Sequence, residues 1–116
     1  MKSVLLLEDD AWFADSLGRT LKKRGYKVTV VSKPDRVFDA LDQGSYRALI
    51  MDIHLGQLNA LTLLNEMATY DDTLKLPKII LSASGHNIAL ADVRQFGVVA
   101  VLDKATYQME DIWCKI

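Results

Sequence analysis

The sequence predicts an α/β domain with a doubly wound, five-stranded parallel sheet, on three observations. Five short apolar runs, at 4–7, 28–31, 48–51, 79–81 and 98–102, are continuous rather than strictly alternating. Such runs suit strands covered on both faces, the habit of parallel sheets. The segments between them read as helices. No hairpin dipeptide interrupts the alternation, so strand and helix recur as five units joined by right-handed crossovers.

After the first run, Phe13, Leu17 and Leu21 fall at i, i+4 and i+8, Lys22, Lys23 and Arg24 fill the last turn, and Gly25 is placed to end the helix. Asp10 is suited to cap its start. After the second run, Ser32-Lys33-Pro34 starts a helix whose stripe is Val37, Phe38 and Leu41 and which Gly44 closes. A loop at 52–58 follows the third run, then Asn59 as N-cap and Leu61, Leu64, Met67 and Ala68 as the buried face. Pro77 marks entry to the fourth strand. A weaker helical pattern at 86–96 is stopped by Gly97, and Tyr107, Met109, Ile112 and Trp113 predict a short last helix of about three turns at 106–116.

The 116 residues are expected to form one domain over 1–116, since independent cores usually need on the order of 100 residues or more. Half the chain is hydrophobic and a quarter charged, which excludes disordered and fibrous classes. With 14 basic against 15 acidic residues there is no general field for nucleic acid or an anionic membrane, and neither is expected as a direct partner. The lone Cys114 can form no internal disulfide and belongs to no zinc pattern, which fits a reducing compartment. The apolar run 4–7 is too short for a signal peptide, and no stretch approaches the roughly 20 apolar residues of a membrane span. A cytoplasmic location is the simplest expectation.

The polar residues fall at the carboxyl ends of the strands: Glu8, Asp9 and Asp10 after the first, Asp52 after the third, Ser82 closing the fourth, and Lys104 just beyond the fifth. In a sheet of order 2-1-3-4-5 the ligand crevice lies between strands one and three, where Asp9 would face Asp52. Crowded carboxylates must take up protons or share a cation. Magnesium, a hard ion satisfied by one or two carboxylates with open positions, is the expected answer. Lys104 would supply a point charge, and Ser82 a hydroxyl donor, for a phosphoryl oxygen. Singly, each of these residues is commonly a loop charge, a cap or a turn residue. As an ordered set they form the parts for phosphoryl transfer to an aspartate nucleophile.

The chain resembles a response-regulator receiver domain, the CheY-like phosphoacceptor module of two-component signalling, over essentially its whole length. The carriers are Val4-Leu5-Leu6-Leu7-Glu8-Asp9-Asp10, Ala48-Leu49-Ile50-Met51-Asp52, Leu76-Pro77-Lys78-Ile79-Ile80-Leu81-Ser82-Ala83, and the stretch from Gly97 to Leu102-Asp103-Lys104. The resemblance implies that Asp52 is phosphorylated and that Asp9 binds magnesium, with Glu8 acting through water and the backbone carbonyl of His54 as a further ligand. It implies that Ser82 is the switch hydroxyl and Lys104 the phosphoryl contact. It also implies a histidine kinase or phosphotransfer protein as donor, and a separate output protein or an output domain elsewhere in a longer chain. A natural single-domain regulator and an excised receiver both remain open.

The chain departs from the family pattern at several positions. Ala105 follows Lys104 where proline, with a cis bond before it, is usual; a non-proline cis bond costs about 2.5–4 kcal/mol, so a trans bond is expected. Val101 replaces the usual aromatic three positions before that lysine, Gly56 stands where proline is common, and Ala60 where glycine is. His54 and Ser84 hold the positions that in this family tune phosphoryl lifetime, while His86, Trp12, Tyr107 and Trp113 read as helix-start, packing or partner-surface residues. The expected function is a magnesium-dependent receiver whose protein-interaction surface switches on phosphorylation of Asp52, with self-phosphorylation and slow self-dephosphorylation as its only catalysis. The alternative is a degenerate receiver that acts as a phosphorylation-independent interaction module. An independent phosphatase would want an acid where His54 stands, and neither a P-loop nor a dinucleotide motif is present.

Overall fold

The computed structural model describes residues 2–55, 58–83 and 88–116. Five parallel strands, β1 (Ser3–Leu7), β2 (Lys27–Val31), β3 (Ala48–Asp52), β6 (Lys78–Ser82) and β7 (Val98–Asp103), form one sheet in the order β2-β1-β3-β6-β7. The expected doubly wound architecture is therefore present. Two short strands, β4 (His54–Leu55) and β5 (Leu58–Asn59), form a separate antiparallel ribbon after the third sheet strand.

Alternation along each strand divides the core. Val4, Leu6, Ile50, Ile79 and Leu81 pack with Ala14, Leu17 and Leu21 of α1 (Ala11–Lys23) and Ile112 of α6 (Met109–Trp113). Leu5, Leu7, Leu49, Met51 and Ile80 face the other way, toward Val37 of α2 (Asp35–Gln43), Leu63, Leu64 and Met67 of α3 (Ala60–Met67) and Val93 of α5 (Leu90–Val93). Continuous apolar runs are what such a two-faced burial requires. The edge strand β2 is the exception: Val30 is 48% exposed, because only one neighbour covers it.

Asn59 lies in β5, opposite His54, and directly precedes the first residue of α3. Three local expectations are corrected. The helix that follows is two pieces, α3 and α4 (Asp71–Lys75), and Leu63 takes the buried place assigned to Ala68. Thr73 Oγ1 donates to the Met67 and Tyr70 carbonyls and ties the second piece to the first. The weak helix before Gly97 is α5 followed by a 3-10 turn (Arg94–Phe96), with His86 outside the described residues. The last helix spans five residues rather than three turns. It is pinned by Trp113, whose ring lies parallel to Tyr26 at 5.7 Å and beneath the Arg24 guanidinium at 4.7 Å.

At the amino end of β6 a lysine is buried. Lys78 is 0% exposed, and its ammonium donates to the carbonyls of Thr73, Leu74 at 3.3 Å and Leu76 at 2.8 Å, so it caps the carboxyl end of α4. Burial pulls its pKa down to about 8. Gly97 makes room for this arrangement: its φ is +86°, and a side chain there would run into the Leu74 carbonyl and the Lys78 ammonium.

Candidate functional site

The carboxyl end of the sheet gathers the predicted residues. Glu8 continues the line of β1, its N–H donating to the Val31 carbonyl at 3.0 Å, and the residue is 2% exposed. Asp9 is exposed beside it, and Asp10 turns away to cap α1, accepting the N–H groups of Trp12 and Phe13 at 3.0 and 3.3 Å. Asp10 is thus a structural cap, as its position suggested. Asp52 ends β3, and Ser82 ends β6; each is 5% exposed. One carboxylate oxygen from each of Glu8, Asp9 and Asp52 lies within 4.8 Å of the others.

Lys104 reaches this cluster from beyond β7. Its Nζ lies 2.7 Å from Glu8 Oε1 and 3.4 Å from Asp52 Oδ2, and 4.4 Å above the centre of the Phe13 ring. Two backbone anchors set that reach. The Lys104 N–H donates to the Ser82 carbonyl at 2.8 Å, which extends the β6–β7 pairing by one residue. The Ala105 N–H donates to Asp103 Oδ1 at 2.8 Å. The peptide between Lys104 and Ala105 is trans, as expected, and the amide that a proline would lack is satisfied by the preceding aspartate.

The electrostatics follow from burial in one crevice. Desolvation raises the Glu8 pKa; the adjacent Lys104 ammonium and the hydrogen bond accepted from the Asp10 N–H oppose this, and the nearby Asp52 charge adds to it. For Lys104 burial acts downward, but Glu8 and Asp52 outweigh it and hold the ammonium above its ordinary value. The Lys104–Glu8 contact is an ion pair by distance without hydrogen-bond geometry, and Glu8 Oε1 is buried with no directed donor. A buried carboxylate oxygen in that condition, inside a cluster of hard oxygens, suits a divalent cation with its own waters. The donor set therefore fits magnesium.

Ser82 Oγ donates to the Ala83 carbonyl at 3.3 Å. His54 stands two residues beyond Asp52 at the start of β4. Ser84 and Gly56 lie outside the described residues. Val101 is half-buried against the α2–α3 core face. Trp12 is 89% exposed on the first turn of α1, while Tyr107 packs edge-on against Phe13 at 6.3 Å. Two residues with a place here were not singled out for it in the sequence. Phe13 read only as the first member of a core stripe. Asp103 carried a recoverable signal, because Asp two residues before a non-proline amide is an Asx-turn pattern.

Comparison with known proteins decides the family. Residues 4–114 match the response regulator receiver domain. The chain belongs to that family. As a receiver domain of two-component systems it is 32% identical over 90 residues to the sensory/regulatory protein RpfC of Xanthomonas campestris, covering 76% of this chain and 12% of that protein. It is 26% identical over 101 residues to the transcriptional regulatory protein FixJ of Bradyrhizobium diazoefficiens, covering 87% of this chain and 48% of FixJ. The receiver thus spans less than half the length of either relative. A putative response regulator from Chloroflexus aurantiacus superposes with a TM-score of 0.84 at 24% identity, covering 97% of this chain and 93% of that one. The receiver domain of the sensor histidine kinase PA1611 from Pseudomonas aeruginosa gives 0.80 at 23% identity, over 97% and 93% of the two chains; that structure holds a magnesium ion in its active site cleft. Likeness at these identities is of fold. Among the described residues of this receiver, no helix is long and apolar enough to cross a membrane.

Proposed function

We propose that this receiver accepts a phosphoryl group on Asp52 from the phosphohistidine of a histidine kinase or phosphotransfer protein, with magnesium, and that the modification changes its protein-interaction surface. The observation that carries this reading is the buried Asp52 carboxylate, which shares one crevice with Glu8, Asp9 and the Lys104 ammonium. Asp9 and Asp52 would hold the magnesium with the His54 backbone carbonyl, and Glu8 would hold it through water. There the ion would offset negative charge on the transferring group.

The chain's own residues supply the rest. An Asp52 oxygen attacks phosphorus as the P–N bond to the donor imidazole breaks, and the leaving nitrogen takes up a proton. Lys104 moves from the Asp52 carboxylate to a phosphoryl oxygen and stabilises the charge that develops there. The Ser82 hydroxyl turns to donate to another, and this biases the chain between two arrangements of its surface. Water attack on the acyl phosphate returns Asp52 slowly to the carboxylate. On this reading the receiver works in the cytoplasm, where kinases charged by ATP hold their phosphohistidines, and passes its state to an output protein or to an output domain of a longer chain.

The test is incubation with magnesium and acetyl phosphate, read by intact mass and peptide mapping. A phosphoryl mass gain on Asp52 that disappears in Asp52→Asn and on chelation is expected. No gain in the native chain would favour the phosphorylation-independent interaction module.

A further inference from the structure

Among the described residues, the Lys104 ammonium lies close to two carboxylates and an aromatic ring. The carboxylates of Glu8 and Asp52, at 2.7 and 3.4 Å, are the groups that change most when a cation or phosphoryl group enters the crevice. The Phe13 ring, at 4.4 Å, takes no part in that exchange and does not change its charge. It is fixed in turn. Phe13 belongs to the first turn of α1, which Asp10 caps through the Phe13 N–H at 3.3 Å, and Tyr107 meets its edge at 6.3 Å. The Lys104 side chain is only 18% exposed, with the ring and the two acids all close to its ammonium.

The geometry points to Phe13 as the positioning residue for Lys104: the ring face holds the ammonium at the crevice while its anionic partners are exchanged, and so keeps it within reach of the phosphoryl group. This rests on the phosphoacceptor reading of Asp52. The physical basis is the attraction of a cation to the negative face of an aromatic ring, which strengthens as the site excludes water. An aliphatic side chain of similar bulk would fill the same space but would exert no such pull. Once the carboxylates were engaged elsewhere, the long lysine could then swing into solvent, because a flexible four-carbon stem loses rotamer entropy when held.

The experiment compares the native receiver with Phe13→Leu and Phe13→Tyr, using saturating magnesium and acetyl phosphate and following Asp52 labelling by intact mass over time. Thermal midpoints are recorded for all three. Labelling of Phe13→Leu is expected to slow about 3- to 10-fold, and Phe13→Tyr to label within about twofold of the native rate. A leucine variant that labels at the native rate overturns the proposal. So does a tyrosine variant slowed as much as the leucine variant, since that marks a packing effect without an aromatic requirement. A leucine variant whose labelling returns to the native rate once temperature is lowered well beneath its own midpoint does the same. A native protein that takes no label overturns the phosphoacceptor reading itself, and the proposal with it; a labelled native protein with an indifferent Phe13 overturns only the proposal.

Discussion

The Lys104 ammonium lies nearer to Glu8 than to Asp52, 2.7 Å against 3.4 Å. This one ammonium offsets only part of the charge of the three acids, and an entering cation must compete with it for Glu8 and Asp52. Glu8→Gln keeps the shape of the side chain and removes its charge. Magnesium affinity, followed by calorimetry, is expected to fall about tenfold. An unchanged affinity would place Glu8 outside the reach of the ion.

Lys104 acts as a point charge on a flexible stem, and a guanidinium is a planar fork that cannot take its place between Glu8, Asp52 and the Phe13 ring. Removal of one positioned donor at a developing anion typically costs about 100-fold in rate. Lys104→Ala is expected to lose about that much in the rate of Asp52 labelling by acetyl phosphate, and Lys104→Arg at least about tenfold. Folding should survive both changes, as judged by circular dichroism.

Asp103 accepts the Ala105 N–H at 2.8 Å and holds the turn after β7 in place of a proline ring. Asp103→Ala leaves that amide to water, and the thermal midpoint is expected to drop by roughly 2–6 °C with a smaller loss of labelling rate. Asp103→Asn keeps the accepting oxygen. It should retain most of the native midpoint.

Lys78 gives the stability a dependence on alkaline pH. Its pKa of about 8 in the folded chain lies below the 10.5 of an ordinary lysine, so between these values the unfolded chain binds more protons than the folded one. Stability from this group therefore rises with pH across that window and is flat below it. Compared with Lys78→Met, the native protein should gain about 2 kcal/mol between pH 7.5 and pH 10 in denaturant titrations, each pKa unit being worth about 1.4 kcal/mol. A difference that stays constant with pH would show that the ammonium is not held where burial penalises it.

The inner strands β1, β3 and β6 could be read from the sequence because both of their faces are covered, which leaves unbroken apolar runs at Leu5, Ile50 and Ile80 alike, and the edge strands because they keep enough of that apolar character. The acids and Lys104 could be read because each follows such a run directly. The small ribbon of His54–Leu55 with Leu58–Asn59 was less visible: two-residue strands have no periodicity, and only the Gly56-Gln57 spacing hints at a hairpin. Lys78 was opaque for a different reason. A lysine after Pro77 reads as a solvated strand start, and nothing local reveals that the last carbonyls of α4 close over it. Phe13 fitted its helical stripe so well that its second contact, with a residue 91 positions away, had no trace in the pattern.

The β6–β7 strand pair has an ammonium drawn out of solvent at each end, Lys78 fully buried at its start and Lys104 half-buried past its finish. Burial alone does not separate their roles; their acceptors do. Backbone carbonyls cannot leave Lys78 without unwinding a helix end, so that charge works as a rivet. Side-chain carboxylates can trade Lys104 for another cation at the turn of a few torsions, so that charge works as a latch. A single stretch of sheet thus joins a permanent fastening to a reversible one, and only the second can carry information.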